Sequence, residues 1–232
     1  MRKKIFVIFI IALFIVGCVP QSDEVSKKTT VTQNARQEIV SLDNLYLSIR
    51  PISFKDGVGP NIVYEKLNED LIIVLKDNNP DIDPKFRVYS YVLEQDLPKY
   101  KVPKDELFKI ALSNFEEEEF PLNILTSEDG IAIAIFPIWN ESFMIGEDIV
   151  QSHLLSESSL SILRDQLGEE YYIRISNWGV FMAFRKYIPE EAWDGLRNIA
   201  LEAYQNEMQP LSDKLFLYKE GKIITVKDEY PS

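Results

Sequence analysis

Strand-length runs of apolar residues follow one another directly in three places along this chain, with no helical pattern between them. Residues 45–51 alternate large apolar side chains with other residues, which predicts a half-buried strand. Strand patterns recur at 71–77 and 86–93, and the turn formers between these two predict an antiparallel pair. Direct strand-to-strand links favour antiparallel sheets, because parallel neighbours need long crossover connections.

Helical patterns are placed between these strands and two later hairpins. The predicted elements are helices at 103–117, within 147–167 and at 189–207, a strand at 130–139, and hairpins at 171–185 and 214–227. In the last helix Trp193, Leu196 and Ala200 share one apolar stripe, so Trp193 is expected in the core. The order of elements predicts an α+β domain, a mixed, mainly antiparallel sheet with helices packed on it.

The first 18 residues have the organisation of a secretory signal. A basic head is followed by apolar residues 5–16, a run too short to cross a membrane, which takes about 20 residues. The run ends in Ile-Val-Gly-Cys, which resembles the lipobox of bacterial lipoproteins and contains the sole cysteine of the chain, Cys18. The resemblance implies cleavage after Gly17 and a diacylglycerol on the Cys18 thiol.

This pattern divides the chain into three parts. Residues 1–17 are predicted to be the lipoprotein signal peptide and residues 18–38, which lack helical or strand periodicity, the lipidated start and a flexible tether. Residues 39–232 are predicted to be one α+β domain. With one cysteine and 46% hydrophobic residues, that domain must be stabilised by packing rather than by disulfides.

The charge of the chain argues against binding to polyanions. The formal net charge is −12, and removal of residues 1–17, with three basic residues and no acid, makes it −15. Such an acidic surface repels nucleic acid and anionic lipid headgroups. The lipid on Cys18 is therefore the predicted attachment to the membrane.

From residue 45 onward the chain resembles a bacterial family of unknown function, the YtpQ-like proteins. The matching stretches are SIRPISF (48–54), VYSYVLEQDL (88–97) with the helix that follows, the hairpin after Gly168, and LFLYKEGKI (215–223). The lipobox and the Asn177-Trp178 turn depart from the family pattern. The resemblance implies that residues from about 45 to 226 fold as one unit, and it implies no activity.

No catalytic or cofactor motif is present in the sequence. The only histidine, His153, is expected at a helix surface or half-buried, and a zinc site lacks ligands once Cys18 is lipidated. Residues 77–84 place oxygen ligands at alternate positions as a calcium loop does, but Ile82 replaces the required glycine, so no calcium is predicted. We therefore predict no catalytic residue, no metal and no cofactor.

Three side chains are candidate contacts with a ligand or partner. Arg50, on the outer face of the first strand, could meet an anion or a carboxylate, and an ion pair across the sheet is the structural alternative. Trp139 and Trp178 lie at a strand end and a turn, where aromatic rings stack on sugars or anchor partners, or simply pack in place.

Together these features predict an extracytoplasmic lipoprotein on a bacterial membrane that acts as a non-enzymatic binding or assembly module. Its predicted partners are the membrane, through Cys18, and another envelope protein. The alternative is a cell-envelope hydrolase that uses paired carboxylates, since acidic residues are plentiful. Two carboxyl groups facing each other in a cleft would distinguish the hydrolase.

Overall fold

A computed structural model gives the fold of the chain from residue 41 onward. The described residues are 41–58, 61–78, 89–116, 123–126, 132–135, 147–177, 181–207 and 210–231. They belong to one compact unit, Val40–Ser232. Helices and antiparallel sheets pack together in it, so the predicted α+β class and single domain are confirmed. Cys18, the signal peptide, the tether, Trp139, Trp178 and residues 79–84 lie outside the described residues.

Within these ranges we number the elements in chain order. The strands are β1 (Leu45–Pro51), β2 (Tyr64–Lys66), β3 (Leu71–Asn78), β4 (Tyr89–Tyr91), β5 (Asn123–Thr126), β6 (Ala132–Ile135), β7 (Tyr171–Ile175), β8 (Phe181–Arg185), β9 (Leu215–Lys219) and β10 (Lys222–Val226). The α-helices are α1 (Phe54–Val58), α2 (Leu97–Tyr100), α3 (Lys104–Glu116), α4 (Glu157–Leu167) and α5 (Glu190–Gln205). Short 3-10 helices span Leu42–Asn44, Glu94–Asp96 and Glu147–Leu155.

The strands form two sheets rather than one. In the four-stranded sheet, β1 pairs with one edge of β3, and β2 and β4 pair with successive parts of the other edge. The six-stranded sheet has the order β10-β9-β7-β8-β6-β5. Every pairing between the described strands is antiparallel, as direct strand-to-strand links favour. The predicted pairing of residues 71–77 with 86–93 is confirmed by β3 and β4.

The main core joins both sheets to α4. It contains apolar side chains of β1, β3, α4 and of the central strands of the six-stranded sheet. On β7, Tyr171, Ile173 and Ile175 all belong to this core, because alternate residues of a strand point to the same side. The stripe Leu160, Leu163 and Leu167 of α4 is buried against it, as the sequence pattern predicts.

Two further layers close the fold. The amphipathic helix α5 packs Trp193, Leu196 and Ala200 against Tyr172 of β7 and its neighbours, so the prediction that Trp193 is a core residue is confirmed. Helix α3 packs on the four-stranded sheet. Asn114 of α3 donates hydrogen bonds to the carbonyls of Leu42 and Leu45, at 3.0 and 2.9 Å, and this fixes the start of β1.

Local turn chemistry explains where several elements end. Glu220 (φ 49°) and Gly221 (φ 74°) both take the left-handed conformation that a two-residue hairpin turn requires, so the predicted β9–β10 hairpin is confirmed. Gly168 (φ 99°) ends α4 in a conformation that side chains disfavour. Ser156 precedes α4 as predicted, but its hydroxyl makes no capping bond and lies 2.6 Å from the hydroxyl of Ser158 instead.

Candidate functional site

The strand register collects several cationic and aromatic side chains on one face of the four-stranded sheet. Residues directly opposite each other in neighbouring strands share a face. Tyr91 is opposite Lys76, Tyr64 is opposite Val74, and Arg50 is opposite Ile72, two residues along β3 from Val74. We call this surface, with Phe54 of α1 packed against it, the Arg50 face.

Arg50 is held firmly on this face. Its Nη2 donates a hydrogen bond of 2.7 Å to the hydroxyl of Tyr91. Its guanidinium carbon lies 4.9 Å from the ring centroid of Phe54 and 5.7 Å from that of Tyr91. These two rings meet edge to face at 5.2 Å, and cation–ring contacts of this kind are favourable.

The expectation that the first strand is half-buried is wrong. Six of the seven residues of β1 are buried, and Arg50 is only 2% exposed. The alternation correctly places Arg50 opposite to the leucines, but Phe54, Tyr64 and Tyr91 pack over that second face as well. Those aromatic residues come from three other elements, so the pattern within residues 45–51 does not predict the second covering layer.

More cations surround the same rings. The ammonium of Lys76, a side chain only 5% exposed, lies 5.1 Å from the ring centroid of Tyr91. The ammonium groups of Lys55 and Lys104 lie 6.0 and 5.8 Å from the ring centroid of Tyr64. On an acidic chain these positive charges make one region where an anionic group would be attracted.

The cations around Tyr91 and those around Tyr64 differ in their exposure to solvent. Arg50 and Lys76 are buried, and both make interactions in addition to those with Tyr91. Lys55, Lys104 and Tyr64 are half-buried, and Lys104 also pairs with Glu94 at 3.1 Å. A partner would therefore touch the two lysines around Tyr64 first. Arg50 is 2% exposed and positions Tyr91 through their hydrogen bond, and its contact with a ligand or partner stays a prediction.

The carboxyl group of Glu65 lies beside this region and is affected by the charge of a second carboxyl group. Partial desolvation of the Glu65 carboxyl on an otherwise exposed residue, and then the negative charge of Asp105, raise its pKa, while Lys104 opposes the shift. Glu65 follows Tyr64 in β2 and Asp105 follows Lys104 in α3, and both carboxyl-bearing residues are exposed. The sequence shows many acidic residues but does not show which two meet, because this pair joins elements about 40 residues apart.

His153 is fully buried, so the expectation that it lies at a helix surface or is half-buried is wrong. It lies in the 3-10 helix Glu147–Leu155, which rests against β1, and it is 3% exposed. Burial lowers the pKa of its imidazole to about 4, so the ring is neutral at pH 7. Its neighbour Gln151 donates a hydrogen bond of 2.9 Å to the carbonyl of Asn177. These contacts give the segment a structural role.

Asp77, the first oxygen ligand in the calcium-loop pattern, forms a hydrogen bond with a tyrosine of another element. It accepts a hydrogen bond of 2.8 Å from the hydroxyl of Tyr100. Burial and this hydrogen bond raise the pKa of Tyr100. In the part of the chain that the structure describes, no three acidic, histidine or cysteine side chains come together as a metal site would require.

A second cluster of charged residues was not predicted. Arg174 of β7 is 1% exposed and its Nη2 lies 2.6 Å from Oδ1 of Asp228, which follows β10. The other oxygen of Asp228 lies 3.1 Å from Nε of Arg197 on α5. One signal was available in the sequence, since Arg174 is the only charged residue within the aromatic and aliphatic run 171–175.

The chain matches no protein-family model, no curated protein and no solved structure. The resemblance to the YtpQ-like proteins therefore stays a prediction. Among the described residues, no helix combines the length and the apolar character that a membrane crossing needs.

Proposed function

We propose that the protein is a lipid-anchored, extracytoplasmic binding or assembly module of a bacterial envelope. The Ile-Val-Gly-Cys ending of the apolar run supports the anchor, with residues 1–17 removed and a diacylglycerol on Cys18. Two acyl chains suffice for stable attachment, whereas a single chain gives only marginal binding. The net charge of −12 supports a role without nucleic acid.

The observation that carries the binding proposal is the pair of ammonium groups around Tyr64. Lys55 and Lys104 come from different helices and lie within about 6 Å of one ring. Their half-buried positions leave them able to meet a carboxylate while the ring adds an apolar contact. We infer that the partner is another envelope protein. It presents acidic and apolar side chains to Lys55, Lys104 and Tyr64, which we call the rim around Tyr64.

A capture experiment on the full chain tests this proposal. Wild-type protein and a Lys55→Gln/Lys104→Gln variant are purified from detergent-solubilised membranes, and the proteins retained by each are compared quantitatively. The matched control is Lys109→Gln, an exposed lysine of α3 that pairs with Glu106 at 3.5 Å. We expect one retained envelope protein to be lost from the double variant and kept by the control.

Added salt should weaken the same capture, because exposed charge pairs are screened. Equal retention by all three forms would contradict the proposal. If the Lys109→Gln control loses the retained protein as completely as the double variant does, the overall charge of the domain, not the rim around Tyr64, governs the interaction.

The carboxyl pair Glu65 and Asp105 supports a second candidate, a cell-envelope hydrolase. A general acid needs a raised pKa, and the pKa of Glu65 is raised while a second carboxyl group lies within electrostatic reach. Release of new reducing ends from cell-wall glycan by the wild type, abolished by Glu65→Gln and by Asp105→Asn, would favour this function. No release, or release that survives both substitutions, would count against it.

A further inference from the structure

The residues that follow β10 lie on the domain much as a bound peptide would. Residues 227–231 have no regular secondary structure. Asp228 bridges Arg174 and Arg197 with its two carboxylate oxygens, at 2.6 and 3.1 Å. Two residues later, the hydroxyl of Tyr230 donates a hydrogen bond of 2.9 Å to the carbonyl of Ile188. Its ring also meets the ring of Trp193 edge to face at 5.9 Å.

The receiving surface belongs to the folded domain. Arg174 comes from β7, Trp193 and Arg197 come from α5, and Ile188 lies two residues before the start of α5. The guanidinium carbon of Arg174 lies 6.0 Å from the ring centroid of Trp193. A charge as deeply buried as that of Arg174 is costly unless a carboxylate compensates it.

This surface also has unused hydrogen-bonding capacity. Nε of Arg174 is buried and has no hydrogen-bond partner among the described residues. The carboxylate of Asp228 therefore accepts hydrogen bonds from only some of the N–H donors of this guanidinium. The site thus prefers a carboxylate, and the Asp228 side chain that supplies it is itself 23% exposed.

The intervening residue takes no part in these contacts. Glu229 is 62% exposed and pairs with Lys227, which is 79% exposed. The domain thus recognises a carboxylate and, two residues on, an aromatic ring with a hydroxyl, while the middle side chain faces solvent. The amide of Glu229 donates a hydrogen bond of 2.9 Å to the carbonyl of Lys227, so the chain turns at Asp228, and this turn brings Asp228 and Tyr230 to the same surface.

We propose that this surface is a peptide-binding site for acidic Asp-x-Tyr segments of a partner protein, and that residues 227–230 occupy it in cis. The partner segment exchanges with Asp228 and Tyr230, and its own carboxylate bridges Arg174 and Arg197. The proposal is independent of the rim around Tyr64. Because the cis segment is covalently linked, it competes at an effective concentration of about millimolar. An external segment therefore binds weakly until the cis segment is released.

The test uses the full chain in detergent and a fluorescent peptide of sequence VKDEYP, which is residues 226–231 of this chain. An Asp228→Ala/Tyr230→Ala variant releases the cis segment, and peptide binding is followed by fluorescence anisotropy. Release of a millimolar competitor should strengthen binding at least about tenfold relative to the unaltered chain. The matched control is Asp213→Ala, which removes an exposed acid that pairs only loosely with Lys214, at 3.8 Å.

The chemistry of recognition is tested with a second peptide, VKNEYP, and with Arg197→Gln added to the double variant. Arg197 is 44% exposed, so its loss should weaken binding without unfolding the domain. We expect the asparagine peptide and the added substitution each to lower affinity several-fold. Should the double variant lack a folded circular dichroism spectrum, Tyr230→Ala alone serves, because that side chain is 40% exposed.

Three results would overturn the proposal. The first is no saturable binding of VKDEYP to the folded variant, and the second is equal binding of VKNEYP. The third is binding of VKDEYP to the unaltered chain with the same affinity as to the double variant, which would place the peptide at a different surface.

Discussion

Replacement of Trp193 by alanine should be the most destabilising single change in α5. The indole is 2% exposed and meets three rings edge to face, those of Tyr172 at 5.2 Å, Phe184 at 5.8 Å and Tyr230 at 5.9 Å. Loss of a large buried aromatic side chain costs about 3–5 kcal/mol. Favourable ring pairs add about 0.5–1.5 kcal/mol each beyond burial, so we expect the upper part of that range.

In a domain of this size, each kcal/mol lowers the melting temperature by about 2–4 °C. We therefore expect Trp193→Ala to melt roughly 8–20 °C below the wild type. Urea unfolding followed by circular dichroism measures the loss, and an unchanged dependence on urea would show that the native state stays compact.

Trp193→Phe is the matched control. It keeps an aromatic ring against Tyr172 and Phe184 and should lose clearly less stability than the alanine variant. A midpoint for Trp193→Ala within experimental error of the wild type would refute the reasoning. It would mean that α5 does not bury this stripe in solution.

Three other side chains give separate predictions. Arg50→Met should lower the free energy of unfolding by about 2 kcal/mol through loss of the charged hydrogen bond to Tyr91, and an unchanged urea midpoint would contradict the role of Arg50 in fixing this face. The pKa of His153 is lowered to about 4 from 6.5, so the unfolded chain takes up a proton first, and stability should fall as pH decreases from 6.5 to 4. His153→Asn should flatten urea midpoints over that window, and an equal slope in both proteins would reject the assignment. Hydrogen bonds from Lys186 and Lys219 lower the pKa of the Glu170 carboxyl from 4.5 to about 2, so its stabilising contribution is present above pH 4.5 and lost as pH falls towards 2. Glu170→Gln should remove that acid-dependent loss in thermal melts between pH 4.5 and 2, and an unaltered pH profile would disprove it.

Local patterns predict most elements of this fold. The strand at residues 45–51, the stripe of α4 and the stripe of α5 each depend on neighbours a few residues away, and these three elements are confirmed, although the strand is buried on both faces rather than on one. The turn at Glu220 and Gly221 is equally local, since two left-handed residues suffice to make it.

Long-range contacts explain what the sequence does not predict. The hydrogen bond from Arg50 to Tyr91 joins residues 41 positions apart, and the one from Arg174 to Asp228 joins residues 54 apart. Burial of both arginines depends on layers contributed by distant elements, so a strand pattern alone does not reveal it. The division into two sheets has the same origin, because local alternation specifies a strand but not its neighbours.

The candidate site shows the same limit. Arg50 lies on a strand as the sequence pattern indicates, but the pattern does not show its hydrogen bond to Tyr91 or its contact with the ring of Phe54. The half-buried cations, Lys55 and Lys104, lie in segments with no distinctive motif, and both contact the ring of Tyr64. Their role follows from geometry rather than from spacing in the chain.

The central claim is that a lipid on Cys18 holds this domain at the outside of a membrane. Labelling of cells with radioactive palmitate, followed by membrane fractionation, compares the wild type with Cys18→Ala. We predict label in the membrane-bound wild type, and a variant that carries no label and is either released or left with residues 1–17 uncleaved. An unlabelled wild type, or a Cys18→Ala protein that loses residues 1–17 and still floats with membranes, would contradict the account.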